Sequence, residues 1–138
     1  MVDGGLAAAA VADWIAIRRV TAEYMCAVDE RDPRALAATF TPDGVIKVVG
    51  MRTHSGREEV AEVALRDRGA ALHMTTDPII DVDGDSATQI CRLLIARANG
   101  GEEAPVVFYE AGTYHDDLVR DGGGWLFARR TVHLLRDR

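Results

Sequence analysis

From about residue 72 onward the chain consists of four long apolar-rich runs separated only by turn signals, with no helical pattern between them. Residues 72–82, 87–98, 106–119 and 125–135 read as strands. Asp83-Gly84 is a tight hairpin signal. Asn99, Gly100, Gly101 and Pro105 mark a second turn, and the Gly-rich stretch 120–124 a third. That last stretch is not a phosphate loop, because no helix follows it. Strands joined by such short connections form an antiparallel meander.

The first half has a different period. Residues 11–29 hold no Gly or Pro, and Trp14, Ile17, Val20, Tyr24 and Val28 recur at helical spacing. A second stripe runs through Ile15, Ala22, Met25 and Cys26, and Asp29 prolongs it. Asp32 caps a short second helix that starts at Pro33 and turns Leu36 and Phe40 inward. Thr41, Pro42, Asp43 and Gly44 read as a turn, followed by a strand over 45–49. Ser55, with Glu58 in capping-box spacing, opens a third helix over about 56–67, and Gly69 ends it. Helices first and strands afterwards is the α+β pattern, and residues 1–138 form one domain.

A formal net charge of -6 argues against nucleic acid as a partner. No stretch reads as a membrane span or a signal peptide, so the chain is expected in the cytoplasm. Cys26 and Cys91 lack metal-ligand or CxxC spacing and read as small core residues in a reducing compartment. No metal set, dinucleotide motif or phosphate-binding motif is present, and no cofactor is expected.

Asp29 and His73 carry the chemistry. Asp29 closes the first helix, where the macrodipole gives a carboxylate no support, and His73 opens the first strand of the meander. If the imidazole reaches the carboxylate across a pocket, the pair forms a general base, the carboxylate orienting and charge-stabilising the ring. Otherwise Asp29 begins a loop and His73 is a half-buried strand residue. Tyr24 is either a core tyrosine or a hydrogen-bond donor into the pocket. Trp14, Leu36, Phe40, Met74, Phe108 and Phe127 are expected in the apolar pocket wall. His54 reads as an exposed loop residue and His133 as structural or at an interface. Arg92 and Arg97 have opposite strand parity, so one of them is a candidate to point into the cone, although charged strand residues mostly face water.

The order Tyr24, Asp29, Asp32, Leu36, Phe40 to Gly44, Ser55-Gly56, His73, Gly112-Thr113-Tyr114, Leu118 and Gly124 to Phe127 resembles the NTF2-like superfamily. That resemblance implies a cone, with three helices from the first half packed in a curved mixed or antiparallel sheet. Within the superfamily the chain is similar to the SnoaL-like branch that includes scytalone dehydratase and hexachlorocyclohexane dehydrochlorinase. Those enzymes use an Asp–His pair at the places of Asp29 and His73. The resemblance implies a cofactor-free, dehydratase-like lyase or isomerase acting on a small apolar, carbonyl-bearing or halogenated molecule, and a homodimer formed through the sheet. There are departures. Residues 88–98 hold no second histidine. Val48 stands where ketosteroid isomerases carry a carboxylate. Arg120 lies near the late-strand arginine of the dehydrochlorinase. A non-catalytic module that binds a small hydrophobic ligand in the same cone is the other reading.

Overall fold

The computed structural model describes residues 4–66, 69–98 and 100–137. Helix α1 spans Gly4–Asp29. It starts ahead of the expected run because the alanines before residue 11 continue it at no propensity cost. It ends in a left-handed cap. Arg31 has φ 56°. The Asp32 N–H donates to the Ala27 carbonyl (2.9 Å), and the Arg31 N–H to that of Val28 (3.2 Å). These are the two bonds of a Schellman motif, and they fix Asp29 as the last helical residue. A non-glycine residue in this conformation costs about 1–2 kcal/mol. The Arg31 guanidinium makes a compensating contact, donating to the Leu65 carbonyl at 3.1 Å.

Helix α2 (Pro33–Ala38) begins as expected, with Asp32 Oδ1 accepting from the Ala35 N–H at 2.9 Å. Strand β1 (Phe40–Val48) absorbs the expected 41–44 turn. Phe40 lies opposite Phe127 and Val45 opposite Arg129, so the residues between are a bulge inside the strand. Strand β2 (Thr53–Ser55) is too short to leave a periodic signal. Helix α3 (Gly56–Glu62) passes into a 3-10 turn over Val63–Leu65. Its expected capping box is replaced. The Ser55 side chain makes no cap bond, and the Ser55 N–H donates to Glu59 Oε2 at 2.9 Å. Asp67, at the end of the expected helix, and Asn99, in the expected turn, lie outside the described residues.

The expected strand 72–82 divides into β3 (Ala70–Thr75) and β4 (Ile79–Asp83). The break falls at Thr76, Asp77 and Pro78, where Pro supplies no N–H to a ladder and restricts the residue before it. Both pieces pair antiparallel with β5 (Ser86–Ala98). Gly84, with φ 61°, makes the hairpin turn into β5. Strands β6 (Val106–Asp121) and β7 (Gly124–Leu134) complete the meander. The sheet order is β2-β1-β7-β6-β5-β3, with β4 also on β5, and among the described residues only β1–β7 is parallel. The three helices pack against this mixed, open, curved sheet.

Two bulges decide which side chains face inward. Ile95 lies opposite Glu110 and Ala96 opposite Phe108, leaving Tyr109 without a partner. Asp117 lies opposite Arg129 and Leu118 opposite Phe127, leaving Ala128 as the extra residue. The second bulge lets Trp125 and Phe127, and then Arg130, Val132 and Leu134, all turn to the buried side although their parity differs. Against that face α1 packs Ile17, Val20, Tyr24 and Val28, joined by Leu36, Phe40 and Val60 in one core. No helix among the described residues is long and apolar enough to cross a membrane.

Candidate active site

The two ends of the cone differ. At one end Phe40, Phe127, Tyr24 and Tyr114 close the space, with ring centroids of contacting pairs 5.3–6.1 Å apart. Arg130 lies inside this cluster, its guanidinium carbon 3.8 Å from the Tyr114 ring centroid, 4.2 Å from that of Tyr24 and 4.3 Å from that of Phe127. Its Nε and Nη2 donate to the two Asp116 carboxylate oxygens at 2.8 Å each, and both side chains are fully buried. Gln89 Nε2 donates to Asp116 Oδ2 at 2.8 Å and to Thr21 Oγ1 at 3.0 Å. Arg130 Nη1 has no hydrogen-bond partner among the described residues, and ring faces enclose the guanidinium instead. Burial works against the charge on Arg130, but the paired Asp116 outweighs it and holds the pKa above the usual arginine value. Burial, reinforced by Tyr24, pushes the Tyr114 hydroxyl well above the usual phenol range. Burial also lifts the Cys91 thiol to about 11.

At the other end a cavity of about 240 Å³ opens. Its apolar wall includes Ile46, Val48, Leu93, Ile95, Val132 and Leu134, and Tyr24 and Tyr114 meet it from the closed end. His73 lies on its wall and Asp29 stands behind the ring. His73 Nδ1 is 2.6 Å from Asp29 Oδ1, and the His73 N–H donates to Asp29 Oδ2 at 2.9 Å. One carboxylate thus grips both the backbone and the ring of the same residue. The contact is nearly dry, with side-chain exposures of 7% for His73 and 12% for Asp29. A carboxylate on Nδ1 keeps the ring proton there and leaves the lone pair on Nε2, the arrangement a general base requires. The Schellman cap supplies the carboxylate, and β3 alternation supplies the ring: Ala71 and His73 face the cavity while Leu72 and Met74 face out.

The other wall residues expected from the sequence are elsewhere. Leu36, Phe40 and Phe127 point inward but are fully buried in the closed end, so the cavity does not reach them. Trp14 sits on the outer side of α1, partly exposed, with the Arg18 guanidinium 4.8 Å from its ring centroid. Met74 lies on the outward face of β3. Phe108 is 72% exposed because the Tyr109 bulge reverses the alternation that would have turned it in, and Tyr109 lines the cavity instead. Cys26 is exposed rather than in the core, because the buried face of α1 runs through Ile17, Val20, Tyr24, Ala27 and Val28. Arg120 is not part of the cavity wall. It pairs with Asp13 (2.7 Å) and Asp85 (3.0 Å) and stacks on Trp125. Of the two candidate arginines, Arg97 is the one that lines the cavity.

His54 is the main omission from the sequence reading. Strand β2 places it opposite Ile46, on the cavity side, and it is buried to 3% exposure. Its Nδ1 is 3.1 Å from the Glu59 carbonyl, so Nδ1–H donates there and Nε2 is the acceptor. Arg66 Nη2 donates to Nε2 at 2.6 Å. Burial first, then the cations of Arg66 and Arg52, hold the His54 pKa below its ordinary value, so the ring stays neutral. Among the described residues no three His, Cys, Asp or Glu are grouped to hold a metal ion.

Solved structures share this architecture. An NTF2-like protein with a cystatin-like fold from Novosphingobium aromaticivorans is 26% identical with a TM-score of 0.87, the match covering 100% of this chain and 94% of that one. A scytalone dehydratase-like protein of the same organism is 24% identical with a TM-score of 0.75, covering 90% and 85% of the two chains. A hexachlorocyclohexane dehydrochlorinase, LinA type 2, is 21% identical with a TM-score of 0.77, covering 91% and 86%. The SnoaL-like domain pattern matches residues 9–131, nearly the whole length, and the chain belongs to the SnoaL-like family.

Proposed function

We propose that this protein is a small-molecule lyase, dehydratase-like in its chemistry, with His73 as general base and Asp29 as its orienting partner. The observation that carries this reading is the 2.6 Å contact between Asp29 and the His73 ring at the cavity wall. In the proposed step Nε2 takes a proton from carbon, and the C–H electron pair becomes the new C=C bond. The leaving group departs from the adjacent carbon as halide or, with a proton, as water. No electrons are gained or lost overall, so the step requires no redox cofactor. Asp29 stabilises the imidazolium, and Tyr24, which borders the cavity, serves as a donor to oxygen on the substrate. The names borne by the dehydrochlorinase and the scytalone dehydratase-like neighbour agree with elimination. The exposed, outward-facing Leu72, Met74, Ile90 and Phe108 support a homodimer through the convex face of the sheet. The free thiols of Cys26 and Cys91 agree with a cytoplasmic location.

The test is a panel of elimination substrates, chlorinated cyclohexanes and β-hydroxy ketones, followed by chloride release or by absorbance of the conjugated product. Turnover by the wild type that disappears in His73→Ala supports the proposal. Undiminished turnover in His73→Ala overturns it. No turnover across the panel, with apolar ligands bound equally by both proteins, would instead favour the non-catalytic binding module.

A further inference from the structure

The cavity wall carries more positive than negative charge: Arg66, Arg97 and Arg136 against Glu110. The Glu110 carboxylate is committed to Arg136, whose Nη2 lies 3.1 Å away. Arg97 lies over the Tyr109 ring, with its guanidinium carbon 4.1 Å from the centroid. Arg66 is placed differently. Its side-chain partner is the neutral His54 ring, and among the described residues no carboxylate pairs with it. His54 is in turn anchored through Nδ1 to the Glu59 carbonyl, so its Nε2 presents a fixed acceptor. A half-buried guanidinium held by a neutral acceptor keeps its full positive charge for something else in the cavity. The opposite wall, with Leu93, Ile95 and Val132, is apolar.

We propose that the cavity takes a small molecule with an apolar body and a carboxylate, that Arg66 binds the carboxylate, and that His54 is the positioning residue for Arg66. This deepens the lyase reading, since it assigns the substrate class of the same cavity, but it concerns binding alone and does not depend on proton transfer. Arg66 fixes the end of the molecule, and the apolar wall orients its body toward His73.

Calorimetric titration of a short series of carboxylates (propionate, benzoate and trans-cinnamate) against the matching primary amides tests it. The wild type should bind at least one acid roughly tenfold or more tighter than its amide, the size of a charge-assisted hydrogen bond. Arg66→Gln should abolish that preference and leave amide binding unchanged. His54→Leu should lose most of the preference. His54→Gln, which restores an acceptor near the place of Nε2, should regain it. His73→Ala should keep the preference whatever happens to turnover, so a failed base and a failed anion site give different results. An absence of acid preference in the wild type across the series overturns the proposal, as does a preference that survives in Arg66→Gln.

Discussion

Asp116 and Asp29 each hold a basic side chain at 2.6–2.8 Å, yet they occupy opposite ends of the cone and are built for different ends. The Asp116–Arg130 pair is 0% exposed on both sides, its carboxylate also satisfied by Gln89 and its cation enclosed by three rings. Removing either charge there would leave the other buried without a partner, which is costly. The Asp29–His73 pair keeps slight exposure and borders a cavity. Among the described residues its carboxylate bonds the ring and the backbone N–H of one residue, His73. A buried ion pair is therefore no sign of a catalytic site. Under the proposed function, the cavity beside Asp29 and His73 makes the difference.

Removing one charge from each pair should separate the two roles. Asp116→Asn leaves Arg130 buried without its counter-charge and should cost about 3–5 kcal/mol in urea unfolding, a large part of a typical domain's stability. Replacing both partners with apolar residues of similar volume should recover much of it. A loss under about 1 kcal/mol for Asp116→Asn would show that the aromatic rings alone support the cation. Asp29→Asn should cost only about 1–2 kcal/mol of stability, as one partly buried hydrogen-bonded contact. It should reduce turnover on any eliminated substrate by roughly 100- to 10,000-fold. Equal stability losses at the two positions would erase the distinction between the ends.

The sequence showed the open end better than the closed one. The helix terminus at Asp29 and the strand near His73 were legible from period and punctuation, whereas the pairing of the two side chains was implied by the family resemblance. The helix-then-meander order was legible for the same reason. Side-chain facing was not, wherever a bulge intervened. Strand alternation carried Phe108 inward from Tyr114, and one unpaired residue, Tyr109, reversed it. Asp116 shared the inward parity of Tyr114, and Arg130 that of Val132 and Leu134, so a buried acid and base on neighbouring strands were visible as a pattern in principle. The expectation that charged strand residues face water concealed them. His54 gave no signal, since its three-residue strand is defined by pairing with β1 rather than by any period of its own. Trp14, Leu36, Phe40 and Phe127 were recognisably large and apolar, but composition does not say at which end of a cone a cavity is left open.

The two cysteines offer a smaller test of how firmly the closed end is sealed. Cys91 lies opposite Tyr114 in the sheet, is 3% exposed, and has its thiol pushed up to about 11 by burial. At pH 8 it is therefore both inaccessible and protonated, and the thiolate is the reactive form. Cys26 is exposed on α1. An aromatic disulfide reagent should modify one thiol, Cys26, rapidly, and Cys91 only at the rate of global unfolding. Modification of Cys91 well before that would mean that the closed end opens locally.

The smallest effect expected is a pH dependence of stability from His54 at the open end. Burial, then Arg66 and Arg52, lower its pKa in the folded protein from the ordinary 6.5, against the opposing hydrogen bond to the Glu59 carbonyl and the charge of Glu62. Above that value His54 is neutral whether folded or unfolded, so it contributes no slope. As pH falls below 6.5 the unfolded chain takes up a proton that the folded one still refuses, so the unfolded state binds more protons and stability declines. The decline from this residue ends once the pH passes below the lowered folded value. Other groups titrate in the same range, so the quantity to measure is the difference in unfolding free energy between wild type and His54→Gln from pH 8 to pH 5. That difference should be flat above about pH 7 and should shift against the wild type as the pH falls below 6.5. A shift in favour of the wild type would mean that His54 gains a proton on folding. Its Nε2 could then no longer accept from Arg66, and the open end would be held by a different set of bonds.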